Sequence, residues 1–242
     1  MSERIAVISG GTGFLGRKIA EKFSMQGIKV YIPVVSMDEF KKIFDTSSDP
    51  ESLNFSLRKI YSFECDAVNE NSVIEFVDKV SVLEKGKIDY LVNTVGGINP
   101  VSEITDLSTD SLIKMINLNF MSAFYFSREV LKIMKKNNYG RIISIGAIAG
   151  LECVPGRFDY SFSKSGVIRL METISEEMKQ YNIRCNTVIP SVIDTPANRE
   201  WGSEEDIKKW VTTDEISGII CELVSEKFSG VRSSNIKIYG SY

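Results

Sequence analysis

The sequence contains no histidine among its 242 residues. This absence excludes a histidine-based catalytic triad and a histidine-ligated metal site, and no metal centre is expected. Cysteine is sparse as well: the four residues are far apart and show no disulfide or metal-binding spacing. We expect all four to be buried thiols in a reducing cytoplasm. They are Cys65, Cys153, Cys185 and Cys221.

Long apolar runs and clusters of basic residues are also missing. No apolar stretch approaches the roughly 18 residues of a membrane span, and the first strand is expected at Ile5, which leaves no room for a cleaved leader. The 29 basic and 32 acidic side chains are interspersed, whereas nucleic-acid binding needs a clustered basic face. We therefore expect a cytoplasmic protein with a small-molecule substrate and neither a nucleic-acid nor a membrane partner.

Short apolar runs alternate with longer amphipathic stretches along the whole chain. The short runs are β-branched and apolar at successive positions, as in strands that are buried on both faces. The alternation predicts an α/β protein: one domain over residues 1–242 with a three-layer, doubly wound Rossmann fold and a seven-stranded, mainly parallel sheet. The polar stretch Thr46–Ser56 is predicted to be a loop. The predicted strands are Ile5–Ser9, Lys29–Val35, Lys59–Glu64, Asp89–Asn93, Arg141–Ile145, Arg184–Ile189 and Asn235–Tyr239.

A glycine-rich turn joins the first predicted strand to the first predicted helix. Gly11, Gly13 and Gly16 fit the spacing G-x-G-x-x-G. Glycines at these positions permit a tight turn, let the backbone approach a pyrophosphate and let the helix pack closely on the strand. The strand–turn–helix context favours a dinucleotide site over an ordinary turn. The predicted phosphate-binding residues are Gly10, Gly11, Thr12, Gly13, Phe14, Leu15 and Gly16.

The end of the second predicted strand lacks the acidic residue that usually binds the adenosine ribose. Val35 and Ser36 stand there, while Asp38 and Glu39 come slightly late. No arginine is present to favour a 2′-phosphate. The choice between NADP and NAD stays open, with Ser36 as a candidate donor to a phosphate.

Tyr160 and Lys164 are four residues apart at the start of a helical pattern. This spacing places both side chains on one face, one turn apart. A nearby ammonium favours a phenolate, so we expect Lys164 to lower the pKa of Tyr160 and make it a usable general acid or base. The pair alone is common by chance.

Seven elements in order resemble the short-chain dehydrogenase/reductase family over essentially the whole chain. Besides the glycine turn and the tyrosine–lysine pair, they are Asp66 after the third predicted strand, the segment from Asn93 to Gly96, Asn117 in Ile-Asn-Leu, the strand that begins at Arg141, and the segment Pro190–Thr195. The resemblance implies an NADP- or NAD-dependent oxidoreductase that moves hydride between nicotinamide and a small carbonyl, alcohol or electron-poor ring.

The resemblance also implies roles for individual residues. Tyr160 would protonate the substrate oxygen as hydride arrives, Lys164 would bind the nicotinamide ribose, and Asn117 would anchor a water in the proton relay. The segment 191–213 would form a lid over the substrate. The further cofactor contacts implied are Asp66, Ala67, Asn93, Val95, Gly96, Pro190, Ser191, Ile193 and Thr195.

A homodimer or homotetramer is implied too. In the family, the helix that carries the tyrosine and the one before it form the subunit contacts. The predicted helix between Ser111 and Lys136 carries Phe120, Phe124, Tyr125 and Phe126, which a 3.6-residue period cannot all turn toward one sheet. Some of them should therefore form an exposed apolar patch.

Two positions depart from the family pattern. The middle glycine of the main branch would fall on Phe14, but the glycine stands at Gly13. The catalytic serine would stand thirteen residues before the tyrosine, where the chain has Ala147, and Ser144 should not reach.

Three explanations for Ala147 stay open. A substrate that needs no such donor is one, since dihydropteridine reductases of the family lack the serine and the segment from Asp194 to Arg199 resembles theirs. A water or a group from the loop after Thr195 could replace the hydroxyl. The protein could also be a cofactor-binding scaffold or sensor without turnover.

Overall fold

A seven-stranded parallel sheet forms the centre of the protein. The computed structural model describes residues 3–44 and 59–241, and the predicted loop Thr46–Ser56 lies outside these residues. The strands of the sheet are β1 (Ile5–Ser9), β2 (Lys29–Val34), β3 (Ile60–Glu64), β4 (Tyr90–Asn93), β5 (Gly140–Ile145), β6 (Ile183–Pro190) and β9 (Asn235–Ile238). Their spatial order is β3-β2-β1-β4-β5-β6-β9, and every neighbouring pair is parallel. The predicted fold class is confirmed, and the ends of the predicted strands differ by one residue at most.

Helices cover both faces of the sheet. In β1, Ala6 and Ile8 belong to one apolar cluster, and Ile5 and Val7 belong to another on the opposite face, because successive strand residues point to opposite sides. Helices α1, α2 and α9 pack on the first face, and α3, α5 and α6 on the second. The helices are α1 (Phe14–Met25), α2 (Met37–Phe44), α3 (Glu70–Leu83), α4 (Thr109–Met115), α5 (Ser122–Asn137), α6 (Phe158–Glu177), α7 (Pro196–Arg199), α8 (Glu204–Ile207) and α9 (Thr213–Val224).

The strand order reverses between β1 and β4. At such a switch point the connections leave the carboxyl ends of the strands in opposite directions and open a crevice between them. The loops that follow β1, β4 and β5 meet at this crevice, so the fold itself brings the predicted glycine turn and the predicted catalytic helix together.

The predicted helix between Ser111 and Lys136 is interrupted. A π-helical stretch, Ile116–Met121, separates α4 from α5. In the aromatic group of this region, Phe126 is buried, whereas Phe120, Phe124 and Tyr125 are half-buried. π-helical turns are rare and frequently occur at functional sites, and this one lies beside the crevice.

The segment after β6 folds into two short strands and two short helices. Strand β7 (Ile193–Asp194) pairs in parallel with β8 (Val211–Thr212), with α7 and α8 between them. Trp210 is buried and its ring centre lies 4.9 Å from that of the exposed Trp201. Trp210 therefore packs this segment onto the core.

The cysteines follow the prediction at three positions and not at the fourth. Cys65, Cys185 and Cys221 are buried free thiols, but Cys153 is exposed, because it stands in the loop before α6 rather than in a strand or helix. Among the described helices, none has the length and apolarity to cross a membrane.

Candidate active site

The glycine turn forms a close-fitting cradle at the end of β1. Gly10 has a positive φ of 75°, which glycine adopts without strain. A methyl group on Gly16 would lie 2.2 Å from the carbonyl oxygen of Gly10, so only glycine fits where α1 passes the turn. Gly13 is less restricted, since a methyl group there would meet only the same oxygen, at 3.4 Å.

Helix α1 presents an uncapped N-terminus to the crevice. Its N-cap residue is Gly13, which offers no side chain to the first N–H groups, and its first turn contains no acidic residue. By contrast, Asn69 caps α3 and Thr212 caps α9. Free N–H groups and the positive end of the helix dipole together favour an anion such as a pyrophosphate. Phe14 is 59% exposed in this turn, whereas Leu15 is buried in the core.

Tyr160 and Lys164 lie on α6 at the opposite wall of the crevice. Lys164 is buried, and its Nζ donates a hydrogen bond to the carbonyl oxygen of Ile145, at the end of β5, over 3.0 Å. A methyl group on Gly96 would lie 3.1 Å from this Nζ. Gly96, in the loop after β4, therefore keeps the space beside the ammonium open. Tyr160 is half-buried.

Burial controls the acidity of both groups. It raises the pKa of Tyr160 to about 12, and the nearby positive charge of Arg157 opposes this rise. Burial lowers the pKa of Lys164 to about 8. The pKa of Tyr160 is thus raised in this structure rather than lowered as expected, because desolvation outweighs the opposing charge of Arg157. At neutral pH the Tyr160 hydroxyl keeps its proton.

The structure does not bring Asn117 to this site. Asn117 is exposed and lines a groove on the outside of the molecule with Asp110 and Lys114. Asn119 is buried instead, and a methyl group on Gly96 would lie 2.7 Å from its Oδ1. The two side chains differ because residues two positions apart on a helix point to nearly opposite sides of it.

Hydrogen bonds hold the Asn119 amide in place. The Gly97 N–H donates to Asn119 Oδ1 over 2.9 Å, and Asn119 Nδ2 donates to the Gly97 carbonyl oxygen over 3.0 Å. The same Nδ2 donates to Ser163 Oγ over 3.0 Å, and Ser163 Oγ donates to the Tyr160 carbonyl oxygen over 2.7 Å. The amide therefore connects the loop after β4 with the helix that carries the tyrosine and lysine.

Asn93 lies at the end of β4, and its buried side chain forms three hydrogen bonds. Its Nδ2 donates to Ser127 Oγ and Ser144 Oγ, each over 3.0 Å, and its Oδ1 accepts from Ser9 Oγ over 3.3 Å. All these hydroxyls are buried. Through these bonds the Asn93 side chain joins β1, β4, β5 and α5, and its contact with the cofactor stays a prediction.

Ala147 takes the place of the family's serine at the start of the loop after β5. It is buried and precedes a short 3₁₀ helix, Ile148–Gly150. Ser144 is fully buried, and its hydroxyl faces Met171 at 3.2 Å and Asn93. As expected, Ser144 does not supply the missing hydroxyl.

The predicted adenosine contacts lie at the ends of β2 and β3. Ser36 is exposed, and its Oγ accepts a hydrogen bond from the Asp38 N–H over 3.2 Å at the start of α2. Asp66 is exposed and accepts from the Val68 N–H over 3.0 Å, and Ala67 beside it is half-buried. The Val68 N–H bonds to one carboxylate oxygen of Asp66, and Ser36 Oγ, which accepts from Asp38, still has its own O–H to donate.

The contacts predicted after β6 lie at the far side of the crevice, with Pro190 buried at the end of the strand. Ser191 Oγ donates to the Tyr239 carbonyl oxygen over 3.2 Å. Thr195 caps α7, its Oγ1 accepting from the Asn198 N–H over 3.3 Å. Ile193 pairs in β7, and its carbonyl oxygen accepts from Asn198 Nδ2. The hydroxyls here are therefore used in shaping the segment itself.

Two residues beside the tyrosine were not predicted from the sequence. Arg157 precedes α6 and donates from Nη1 to the Asn99 carbonyl oxygen. Asp159 is buried and accepts from the Tyr160 N–H over 2.7 Å and from Asn99 Nδ2 over 2.8 Å. Neither residue belongs to a motif or to a periodic pattern of the sequence. Only their closeness to Tyr160 along the chain could have suggested them.

Comparison with known proteins gives the same family along most of the chain. The sequence profile described as short chain dehydrogenase matches residues 4–206. The 3-oxoacyl-(acyl-carrier-protein) reductase FabG of Buchnera aphidicola is 29% identical over 249 residues, covering 99% of this chain and 97% of that protein. The 7alpha-hydroxysteroid dehydrogenase of Bacteroides fragilis is 31% identical over 196 residues, covering 80% of this chain and 73% of that protein.

Solved structures show the same fold. ElxO with NADP bound superposes with a TM-score of 0.88 at 25% identity, covering 98% of this chain and 97% of that chain. Xylitol dehydrogenase with NAD⁺ bound superposes with a TM-score of 0.86 at 23% identity, covering 98% of both chains. With the glycine cradle, the Tyr160–Lys164 helix and the sequence profile in agreement, the chain belongs to the short-chain dehydrogenase family of NAD- and NADP-dependent oxidoreductases.

Proposed function

We propose that the protein reduces a small carbonyl compound with NADPH or NADH, with Tyr160 as the proton donor. The observation that carries the proposal is the pair on α6: a phenol that keeps its proton at neutral pH, one turn from a buried ammonium. Lys164 Nζ lies at the end of β5 and beside Gly96, and we expect Tyr160 to face the same crevice. A binding module without turnover has no need for this pair.

The residues around the glycine turn fit a dinucleotide. The uncapped N-terminus of α1 and the turn from Gly10 to Gly13 would hold its pyrophosphate, and Asp66 would bind the adenine. Gly96 would let the nicotinamide ribose approach Lys164, since a side chain at this position would fill the space beside Nζ. When bound, the dinucleotide supplies the hydride.

The chain's own groups would then handle the proton. Tyr160 would donate its hydroxyl proton to the substrate oxygen as negative charge develops there. Lys164 would be the positive charge that stabilises the resulting phenolate. Asn119, rather than Asn117, would keep this helix in register with the loop after β4 through Gly97 and Ser163.

The alanine at position 147 limits the rate that such a site can reach. A single donor to a developing oxyanion contributes roughly 10²–10³ in rate, and the hydroxyl that would supply it is absent. A group on another wall of the pocket must therefore orient the substrate. The pterin alternative gains no support from the relatives described above, whose names concern acyl and steroid substrates.

Subunit contacts stay a prediction. The half-buried rings of Phe120, Phe124 and Tyr125, and the stacked, exposed rings of Phe158 and Phe162, favour a homodimer or homotetramer. Apolar surface of this kind usually marks an interface.

The proposal is tested by measuring cofactor binding and turnover separately. Titration calorimetry with NADPH and NADH should show micromolar binding of at least one, and a panel of ketones, oxo acids and aldehydes should reveal oxidation of that cofactor. Tyr160→Phe should bind the cofactor as the wild type does and oxidise none of it, while the exposed Tyr239→Phe should behave as the wild type. Equal turnover by Tyr160→Phe would refute the proposal.

A further inference from the structure

Arg157 carries a positive charge that no described carboxylate balances. It stands at the N-cap of α6, three residues before Tyr160, and is half-buried. Within residues 3–44 and 59–241, its polar contact is the Asn99 carbonyl oxygen, which accepts from Nη1. One of its five N–H groups is thus used, and the others remain for a ligand.

The acidic side chain two residues further along the chain is directed elsewhere. Asp159 accepts hydrogen bonds from the Tyr160 N–H over 2.7 Å, from Asn99 Nδ2 over 2.8 Å and from Ser111 Oγ over 3.3 Å. These donors occupy the carboxylate without Arg157. The positive charge of Arg157 instead acts on the Tyr160 phenol, whose pKa it acts to lower. Arg157 is therefore a positive charge that acts on the reacting hydroxyl.

The backbone on which Arg157 stands is tied to the opposite loop. Gly156 has a positive φ of 69°, and its carbonyl oxygen accepts from the Ser102 N–H over 3.0 Å. A methyl group on Gly156 would lie 2.4 Å from Val101 Cγ1. Together with the bond to Asn99, these contacts hold the guanidinium between the loop after β4 and the start of α6, at the mouth of the crevice.

We propose that Arg157 binds a carboxylate of the substrate, so that the substrate is a 2-oxo or 3-oxo acid or the corresponding hydroxy acid. The planar guanidinium fork matches a carboxylate in a paired, charge-assisted hydrogen bond. Arg157 and Tyr160 lie three residues apart at the start of α6, so a substrate held by both carries its carboxylate close to the carbonyl that Tyr160 protonates. This inference rests on the proposed function.

The same arrangement explains how the site would work with Ala147 in place of the serine. A carboxylate held by Arg157 orients the neighbouring carbonyl toward Tyr160, and orientation alone contributes several powers of ten to a rate. A neutral ketone has no such anchor. The site should therefore discriminate between an oxo acid and its ester, which differ in little besides the charge.

The test compares acetoacetate with methyl acetoacetate, and pyruvate with methyl pyruvate. Binding is measured by titration calorimetry in the presence of the oxidised cofactor, and kcat and KM are measured with the reduced one. The variants are Arg157→Gln, Arg157→Lys and the control Arg169→Gln. Arg169 lies on the same helix, is exposed, and pairs with Glu172 over 2.9 Å.

The wild type should prefer at least one acid over its ester. Arg157→Gln should weaken binding of that acid and raise its KM by 10- to 100-fold, the effect of a charged hydrogen-bond pair, with little change for the ester. Arg157→Lys should recover part of the loss, and Arg169→Gln should change nothing. Thermal unfolding of each variant shows that the fold is kept.

Three results would overturn the assignment: binding of neither acid by the wild type, equal use of acid and ester, or an equal effect of Arg157→Gln on both. Failure of the proposed function gives a different result. If Tyr160 is not the proton donor, Tyr160→Phe keeps its turnover whatever Arg157 does. If only the assignment of Arg157 is wrong, Tyr160→Phe is inactive while Arg157→Gln retains wild-type selectivity.

Discussion

The buried ammonium of Lys164 should leave a measurable signature in the pH dependence of stability. Desolvation lowers its pKa from 10.5 to about 8 in the folded protein. Between these values the unfolded chain binds the proton more tightly, so folding gains stability as the pH rises through this window. Below pH 8 the buried charge costs about 3 kcal/mol relative to a solvated lysine.

Lys164→Met removes this titration and keeps most of the side-chain volume. The free energy of unfolding of the variant minus that of the wild type should therefore fall by about 3 kcal/mol between pH 7 and pH 10.5. Loss of the hydrogen bond to Ile145 adds a term that is nearly independent of pH, since a neutral amine also donates. Urea unfolding at pH 7, 8, 9 and 10 measures the difference.

The exposed Lys237→Met is the matched control. Its difference from the wild type should stay nearly constant, because a solvated ammonium loses little hydration on folding. A Lys164→Met difference that is equally constant from pH 7 to pH 10 would refute the reasoning, since the ammonium would then be as well solvated in the folded protein as in the unfolded chain.

Three further substitutions test separate parts of the site. Gly16→Ala should lower the melting temperature and weaken dinucleotide binding, because its methyl group would lie 2.2 Å from the Gly10 carbonyl oxygen, which implies about 1–3 kcal/mol of overpacking strain. Gly13→Ala, with one contact at 3.4 Å, should unfold like the wild type in the same thermal scan. Asn119→Ala should reduce kcat at least tenfold and lower stability by about 1–3 kcal/mol, whereas Asn117→Ala should do neither in the same kinetic and urea measurements; equal effects would contradict the assignment. Ala147→Ser should raise kcat for neutral ketones at least tenfold by restoring a donor, and an unchanged rate constant would show that the hydroxyl does not reach the substrate.

The fold could be predicted from the sequence because its strands are buried on both faces. A run such as Ile5–Ser9 is apolar at successive positions, and the structure buries all five residues. The glycine cradle could also be predicted, since the requirement for glycine at position 16 arises from two neighbouring elements, β1 and α1. Signals of this kind are local and need no knowledge of distant contacts.

Asn119 rather than Asn117 points into the protein, and to predict this one must know which face of the helix is buried. Met115, Ser122 and Phe126 are buried with Asn119, and their spacing of three or four residues would have indicated the inward face. The π-helical turn that interrupts this face could not be foreseen, because the residue pattern does not distinguish it from a continuous α-helix.

The balance of charge and burial around Tyr160 could not be predicted either. The spacing of Tyr160 and Lys164 placed an ammonium near a phenol, but the desolvation of both depends on how completely the sheet and the loops after β4 and β5 enclose them. For the same reason, the sequence does not show that three buried hydroxyls from other elements bind the Asn93 side chain.

The central claim is that the Tyr160 hydroxyl gives its proton to the substrate. Single-turnover oxidation of NADPH or NADH, followed by stopped-flow absorbance for the wild type and Tyr160→Phe with the same bound substrate, tests it most directly. We predict that the variant binds the dinucleotide with wild-type affinity and loses at least 10² of the rate of hydride transfer, in the range of a general acid. An equal rate in the two proteins would contradict the claim.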